Sequence, residues 1–319
     1  MKKDFLSLVD LTPTEFEELL VVTDTLKTNP HIRPLAGKSV ALIFQKPSLR
    51  TRVSFEVGVV GLGGHPIVLS QDGVGIGVRE KASDVAELLS RMTSMIVARL
   101  YDHAVLLELA RHATVPVINA LTDLSHPCQI VADVYTMRQH GKLKPGAKVV
   151  FVGDGNNVVN SWLEVCELIP LHFVLAAPKG YEPNPEIVNR AKKRGVSVIE
   201  IVSDPSAAVR DADVVYTDVW TSMGQEAESE QRKRDFAGYQ VHTQLLSLAK
   251  PDCVFMHCLP AHREEEVTSE VIDGKQSIVF DQAENRLHVQ KAIMVKLIEV
   301  YDELDGRRAR QSAEVMEHE

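Results

Sequence analysis

No stretch of the 319 residues approaches the run of roughly 18 apolar residues that a helix needs to cross a bilayer, so no membrane association is expected. The N-terminal MKKDFLSLVDLT has two lysines, but acidic Asp4 and Asp10 follow, with no apolar core and no small-residue cleavage site. No signal peptide is therefore expected. Cysteine is scarce. Cys128, Cys166, Cys253 and Cys258 form no CxxC pair and no dense framework, which argues for reduced thiols and a cytoplasmic location. Positive charge is also in deficit, with 35 Lys and Arg against 44 Asp and Glu and a net charge of -9. That balance excludes a wide basic field for nucleic acid. It leaves room for a small anionic substrate, since a few arginines can make one pocket positive inside an acidic protein.

What is present is alternation. Short, β-rich apolar runs at Ser39–Phe44, Pro66–Leu69, Met95–Ala98, Val115–Asn119, Lys148–Val152, Phe173–Ala176, Val196–Val202, Asp213–Tyr216, Cys253–His257 and Ser277–Phe280 read as strands. Amphipathic stretches such as Arg52–Leu62, Ala82–Met92, Ala104–His112, Gln129–His140 and Asn184–Arg194 separate them. Strands alternating with helices predict an α/β protein with parallel sheets covered on both faces. The length exceeds what one core usually holds. The polar, Gly- and Pro-punctuated segment 139–146 divides the chain into two doubly wound halves, 1–140 and 147–285. Residues 286–304 read as a closing helix that returns to the first half, and 305–319 as a charged, frayed tail.

In the first half, Gln45-Lys-Pro-Ser-Leu-Arg-Thr-Arg52 joins a strand directly to a helical run. Such a junction offers unpaired backbone N–H groups and the positive end of a helix dipole to an anion. Ser48 and Thr51 add hydroxyls, and Arg50 a planar fork that suits phosphate oxygens. The same residues are compatible with an ordinary capped helix. However, Arg50 and Arg52 in a first turn oppose the dipole and call for a compensating anion. Arg99 ends an apolar strand at the carboxyl edge, where open α/β sheets bind ligands. His126-Pro-Cys-Gln129 opens a helix with proline at its first position. The histidine and the glutamine are suited to hydrogen bonding with a carbonyl oxygen, and the histidine equally to a plain helix start.

In the second half, Gly153-Asp-Gly155 ends a strand before a helix, as a dinucleotide-binding loop would. The third glycine of that fingerprint falls on Val158, and the next strand ends in Ala176-Ala-Pro178 with no acid for a ribose. No nicotinamide or flavin cofactor is expected. The loop Asp218-Val-Trp-Thr-Ser-Met-Gly224 sets a carboxylate and a hydroxyl four residues apart, a grip for an α-amino group or simply an Asx turn. Cys253, His257, Cys258 and His262 do not fit a zinc spacing, and neighbours on a strand point to opposite faces. No metal site is expected, and Cys258 reads as a pocket contact or a small buried residue.

Taken in order, Ser48-Leu-Arg-Thr-Arg52, His126-Pro-Cys-Gln129, Asp218-Val-Trp-Thr-Ser-Met-Gly224 and His257-Cys-Leu-Pro260 resemble the signature set of the ornithine carbamoyltransferase family, over nearly the whole chain to about Tyr301. The resemblance implies a carbamoyl-phosphate domain, an ornithine domain, helices that tie the two together, and a homotrimer or multiple of trimers. Its substrates would be carbamoyl phosphate and L-ornithine, with no cofactor. By position in these motifs, Ser48, Leu49, Arg50 and Thr51 would cradle the phosphate, with Arg99 as a second fork. His126 and Gln129 would hold the carbamoyl end, while Asn157, Asp218, Ser222 and Met223 would bind the amino-acid end of ornithine. Cys258 and Leu259 would lie beside the reacting centre, reached also by Arg286. Arg50, Arg99, His126 and Cys258 are the expected catalytic groups. Two positions depart from the family pattern, which usually has threonine at Leu49 and glutamine at Gly75.

Overall fold

A computed structural model describes residues 1–222 and 226–316. The chain falls into two compact units, Met1–Thr122 with Leu287–Glu319, and Asp123–Arg286. Each is built on a parallel sheet.

In the first unit, β1 (Ser39–Phe44), β2 (His65–Ser70), β3 (Met95–Arg99) and β4 (Val117–Leu121) lie in the order β2-β1-β3-β4. Every residue of β3 and β4 is buried, and β1 is buried from Val40 onward. This is why those strands are continuous apolar runs rather than alternating ones. Strand β4 begins two residues later than the apolar run suggests, because Pro116 has no N–H to give the ladder; only its carbonyl is used, by Ile96. Ahead of the sheet, Phe5 donates to the Val117 carbonyl and accepts from Asn119 N–H, extending the pairing beside β4.

The second unit holds β5 (Ala147–Val152), β6 (Leu171–Ala176), β7 (Val198–Val202), β8 (Val214–Thr217) and β9 (Val254–His257), ordered β7-β6-β5-β8-β9. The expected two-domain, doubly wound parallel architecture is what the structure has. In each sheet the order reverses beside one strand, next to β1 in the first and next to β5 in the second, and the carboxyl ends there form a crevice.

Three expected elements differ. Helix Leu49–Gly61 starts three residues before the sequence pattern suggests, because Ser48 accepts the Thr51 N–H as its N-cap. Leu49, Arg50 and Thr51 are thus the first helical turn rather than loop. Ser277–Phe280 is not a strand: Ser277 makes a single bridge to Phe255, and a helix begins at Val279. That helix runs from Val279 to Met316, into the segment whose charge suggested a frayed tail. Residues 305–316 include three Arg and two Ala with Gln, Glu and Met, all of which propagate helix well. The division between units falls inside this helix, after Arg286.

Candidate active site

In the first unit, the turn after β1 and the end of β3 are fastened together. Gln45 N–H donates to the Arg99 carbonyl, and the Gln45 side chain bridges the Ile76 carbonyl and the Tyr101 N–H, each at 2.9 Å. Arg99, buried at the end of β3, donates from Nη1 to the Thr51 hydroxyl at 3.2 Å. The structure therefore brings Ser48, Thr51 and Arg99 to one switch point, with Arg50 half-buried in the same helical turn. Leu49 is 73% exposed, so a hydrophobic side chain faces outward where a hydroxyl was expected in the family pattern. Arg52 serves otherwise: its Nε pairs with Glu56 at 2.6 Å, one turn along the helix. Arg50 and Arg99 are thus the arginines of this turn suited to an anion. Lys46, which the sequence did not single out, is buried in this turn with its Nζ over the Tyr101 ring, 4.4 Å from the centroid. Gly75 caps a short helix at φ +64°, and a Cβ there would meet Arg79 Cβ at 2.8 Å, so turn geometry accounts for the glycine.

In the second unit, a carboxylate sits where the carboxyl ends of β5 and β8 meet. Asp218 is 8% exposed. Its Oδ2 accepts from Asn156 Nδ2 at 2.8 Å, and its Oδ1 accepts from Val219 N–H at 2.8 Å and from the Cys258 thiol at 2.9 Å. Asn156 also caps helix Asn157–Val165, accepting from Val158 and Val159 N–H. Asn157, which the resemblance assigned to the amino-acid end of ornithine, is the first residue of that helix, directly after the Asn156 that holds Asp218. Ser222 is half-buried at the end of the same loop, and Met223 lies outside the described residues. The loop is held by Arg232, whose Nη1 donates to the Trp220 carbonyl at 3.0 Å and to Asp154 at 2.8 Å. Burial raises the Asp154 pKa, and Arg232 opposes that rise.

Gly155 explains the abandoned dinucleotide signal. A Cβ on it would lie 2.4 Å from Pro183 N and 2.6 Å from Glu182 C, and Gly155 N–H donates to the Tyr181 carbonyl. The glycine admits the protein's own backbone where a pyrophosphate would have to come.

The turn His257–Pro260 is built around a fully buried imidazole. His257 Nδ1 accepts from Leu259 N–H at 2.8 Å, so the ring proton sits on Nε2, which donates to Glu266 at 3.0 Å. This holds Leu259 at φ +58°, a costly conformation for a leucine. Asp218, His257 and Cys258 each bring a ligand-type atom within 4.8 Å of the others. With both nitrogens of His257 already engaged, the imidazole has no lone pair left for an ion.

His126 caps helix Pro127–Gln139; it is buried, and its N–H donates to the Ser161 hydroxyl at 2.8 Å. Gln129 follows in the first turn and donates from Nε2 to Asp133 Oδ1 at 2.8 Å. Arg286 is buried and lies close enough that its positive charge lowers the pKa of Cys128 and of Asp133, against a larger upward push from burial on each. Burial takes the Cys128 thiol up to about 12, so it is an inert thiol at neutral pH.

Residues 3–139 match the carbamoyl-phosphate-binding domain of the aspartate/ornithine carbamoyltransferases, and residues 145–297 match their aspartate/ornithine-binding domain. An ornithine carbamoyltransferase of Chlorobaculum tepidum is 52% identical, over 93% of this chain and 90% of its own length. Among solved structures, the ornithine carbamoyltransferase of Thermus thermophilus is 47% identical with a TM-score of 0.85, covering 93% of this chain and 99% of that one. The anabolic ornithine carbamoyltransferase of Campylobacter jejuni reaches a TM-score of 0.89 at 38% identity, with the same coverage of both chains.

Proposed function

Because the chain belongs to the aspartate/ornithine carbamoyltransferase family, we propose that it transfers the carbamoyl group of carbamoyl phosphate to the δ-amine of L-ornithine, giving L-citrulline and phosphate. The observation that carries the choice of acceptor is Asp218, a buried carboxylate at the second switch point, held by Asn156 and Cys258. Such a group recognises the cationic α-amine of a free amino acid.

In this reading Ser48, Leu49 (through its backbone), Arg50, Thr51 and Arg99 bind the phosphoryl group, aided by the N-terminus of helix Leu49–Gly61. His126 and Gln129 hold the carbamoyl end. Asn157, Asp218, Ser222 and Met223 take the amino-acid end of ornithine. Cys258, Leu259 and Arg286 border the reacting carbon.

The δ-amine of ornithine is an ammonium ion in neutral water and has no lone pair to attack with. A dry pocket beside arginines disfavours that charge and releases the neutral amine. Its nitrogen adds to the carbamoyl carbon, negative charge builds on the carbonyl oxygen, and Arg99, His126 and the Thr51 hydroxyl are the donors assigned to it. The C–O bond to phosphate then breaks with its electron pair, the departing phosphate takes the proton that the nitrogen sheds, and Arg50 holds its remaining charge. Alignment and fixed dipoles supply the acceleration, without a covalent enzyme intermediate.

The enzyme works in this reading in the cytoplasm, in arginine metabolism, as a trimer or multiple of trimers. An apolar stripe on the phosphate helix supports self-association: Leu49, Val53, Val57 and Val60 repeat at helical spacing, and each is at least half exposed. Sedimentation equilibrium giving a mass that is not a multiple of three chains would remove the trimer from the proposal.

The deciding assay is citrulline formation from carbamoyl phosphate and ornithine, with acetylornithine, putrescine and aspartate as alternative acceptors. Faster turnover with any of the three than with ornithine overturns the assignment.

A further inference from the structure

The second unit contains a buried chain of side-chain amides whose polarity can be read outward from one fixed donor. The backbone N–H of His257 donates to Gln282 Oε1 at 2.9 Å. That contact settles which end of the Gln282 amide is oxygen. Its nitrogen therefore donates to Asp133 Oδ1 at 2.7 Å and to the Tyr216 hydroxyl oxygen at 3.1 Å. Oδ1 of Asp133 accepts there, and because the carbonyl oxygen of a protonated carboxyl is its stronger acceptor, a proton on this group sits on Oδ2. Gln129, 2.8 Å from the same Oδ1, has to present its nitrogen there as well.

Among the described residues, two buried atoms of these linked side chains have no hydrogen-bond partner: Asp133 Oδ2, the oxygen left for the carboxyl's own proton, and an oxygen of Gln129. Gln129 Oε1 is buried without a hydrogen-bond partner, on a side chain only 1% exposed in the first turn of helix Pro127–Gln139. A buried amide oxygen left in this state favours any ligand that brings a donor. The carbamoyl group has such a donor in its NH2, and its carbonyl oxygen would be refused. With the amide reversed, donor would face donor.

We propose that Asp133 is a positioning residue for carbamoyl recognition: it fixes the Gln129 amide so that Gln129 Oε1 accepts a hydrogen bond from the carbamoyl N–H. The inference rests on the reading that Gln129 binds the carbamoyl end. It also turns Gln129 from a donor to the carbonyl oxygen into an acceptor from the nitrogen. Asp133 lies one helical turn from Gln129, so the two side chains share a face, and Gln282 anchors the pair to the backbone of β9. The selectivity this produces is for an amide over a methyl ketone of the same shape, because a site built to pair an N–H loses affinity for the isostere lacking it.

Two inert phosphonates separate the possibilities. Phosphonoacetamide and acetonylphosphonate differ only in NH2 against CH3, and their inhibition constants are measured at one pH for wild type, Asp133→Asn and Asp133→Leu. Wild type should prefer the amide. Asp133→Asn keeps an acceptor oxygen and should keep the preference within about twofold. Asp133→Leu should lose roughly five- to tenfold of it, while acetonylphosphonate binds within about twofold of wild type. Asp133→Ser, which withdraws the acceptor from reach, replaces the leucine variant if circular dichroism shows that the latter is unfolded. If a folded leucine or serine variant retains the preference, or weakens for both inhibitors alike, Asp133 does not position the amide. Absence of the preference in wild type instead defeats the assignment of Gln129 to the carbamoyl group, and the inference with it.

Discussion

At the carboxyl end of β1, a helix opens under Ser48 with Arg50 in its first turn and Arg99 fastened to Thr51 from the neighbouring strand. At the carboxyl end of β5, a helix opens under Asn156, whose amide caps it through Oδ1 and holds the carboxylate of Asp218 through Nδ2. Topologically these are the same place, the strand-order reversal of a doubly wound sheet. Chemically they are opposites: one gathers guanidinium groups, the other a buried carboxylate already bonded by an amide, a backbone N–H and a thiol. Topology decides where a ligand binds in such a sheet, and the side chains at the strand ends decide its charge.

The contrast can be broken from the cationic side first. Arg50→Gly removes the planar fork from the phosphate turn and should lower kcat/KM by about a thousandfold, at the scale of one lost transition-state charge contact. Circular dichroism should be unchanged, and near-normal turnover in a folded variant would refute the phosphate role. From the anionic side, Asp218→Asn should cost about a hundredfold in kcat/KM for ornithine, with the inhibition constant of a phosphonate mimic preserved. Equal losses for both ligands would mean that the two switch points are not specialised by charge. Cys258→Ser keeps a hydrogen bond to Asp218 but shortens it, so ornithine affinity should fall by about tenfold, again without a matching loss for carbamoyl phosphate.

The smallest effect concerns stability alone. Burial takes the Asp133 carboxyl up to about 7, above its ordinary value of 3.8, against opposition from Gln129, Gln282, Tyr216 and Arg286. Between those two values the folded chain holds a proton that the unfolded chain has released. Stability therefore falls as pH rises from about 4 to about 7 and levels off beyond. Asp133→Asn has no such proton, and its melting temperature should rise relative to wild type across that interval. Parallel melting curves at pH 4.5 and 7.5 would show that the carboxyl ionises normally.

The strands were legible because burial on both faces leaves an unbroken apolar run, as in Val-Ala-Leu-Ile-Phe of β1 or Val-Val-Phe-Val of β5. Helix starts were less so, since Ser48 and the residues after it read as loop until the cap is seen. Around the candidate site, the compact motifs at Ser48, His126, Asp218 and His257 stand out in the chain alone. Asp133, Gln282 and Arg232 do not. Asp133 is an ordinary-looking acid in the middle of an amphipathic run, and its partner Gln282 is 149 residues away in sequence. Buried polar contacts between distant segments leave no periodicity to read.

The backbone of residues 181–183 pressed against Gly155 also limits what this scaffold can become. Supplying the missing glycine at position 158, the obvious first step toward a nucleotide-binding variant, would leave the would-be phosphate berth occupied by a peptide plane. Any laboratory lineage in that direction has to begin by shortening or redirecting the 181–183 segment, and its early members would gain no affinity to select on until that is done.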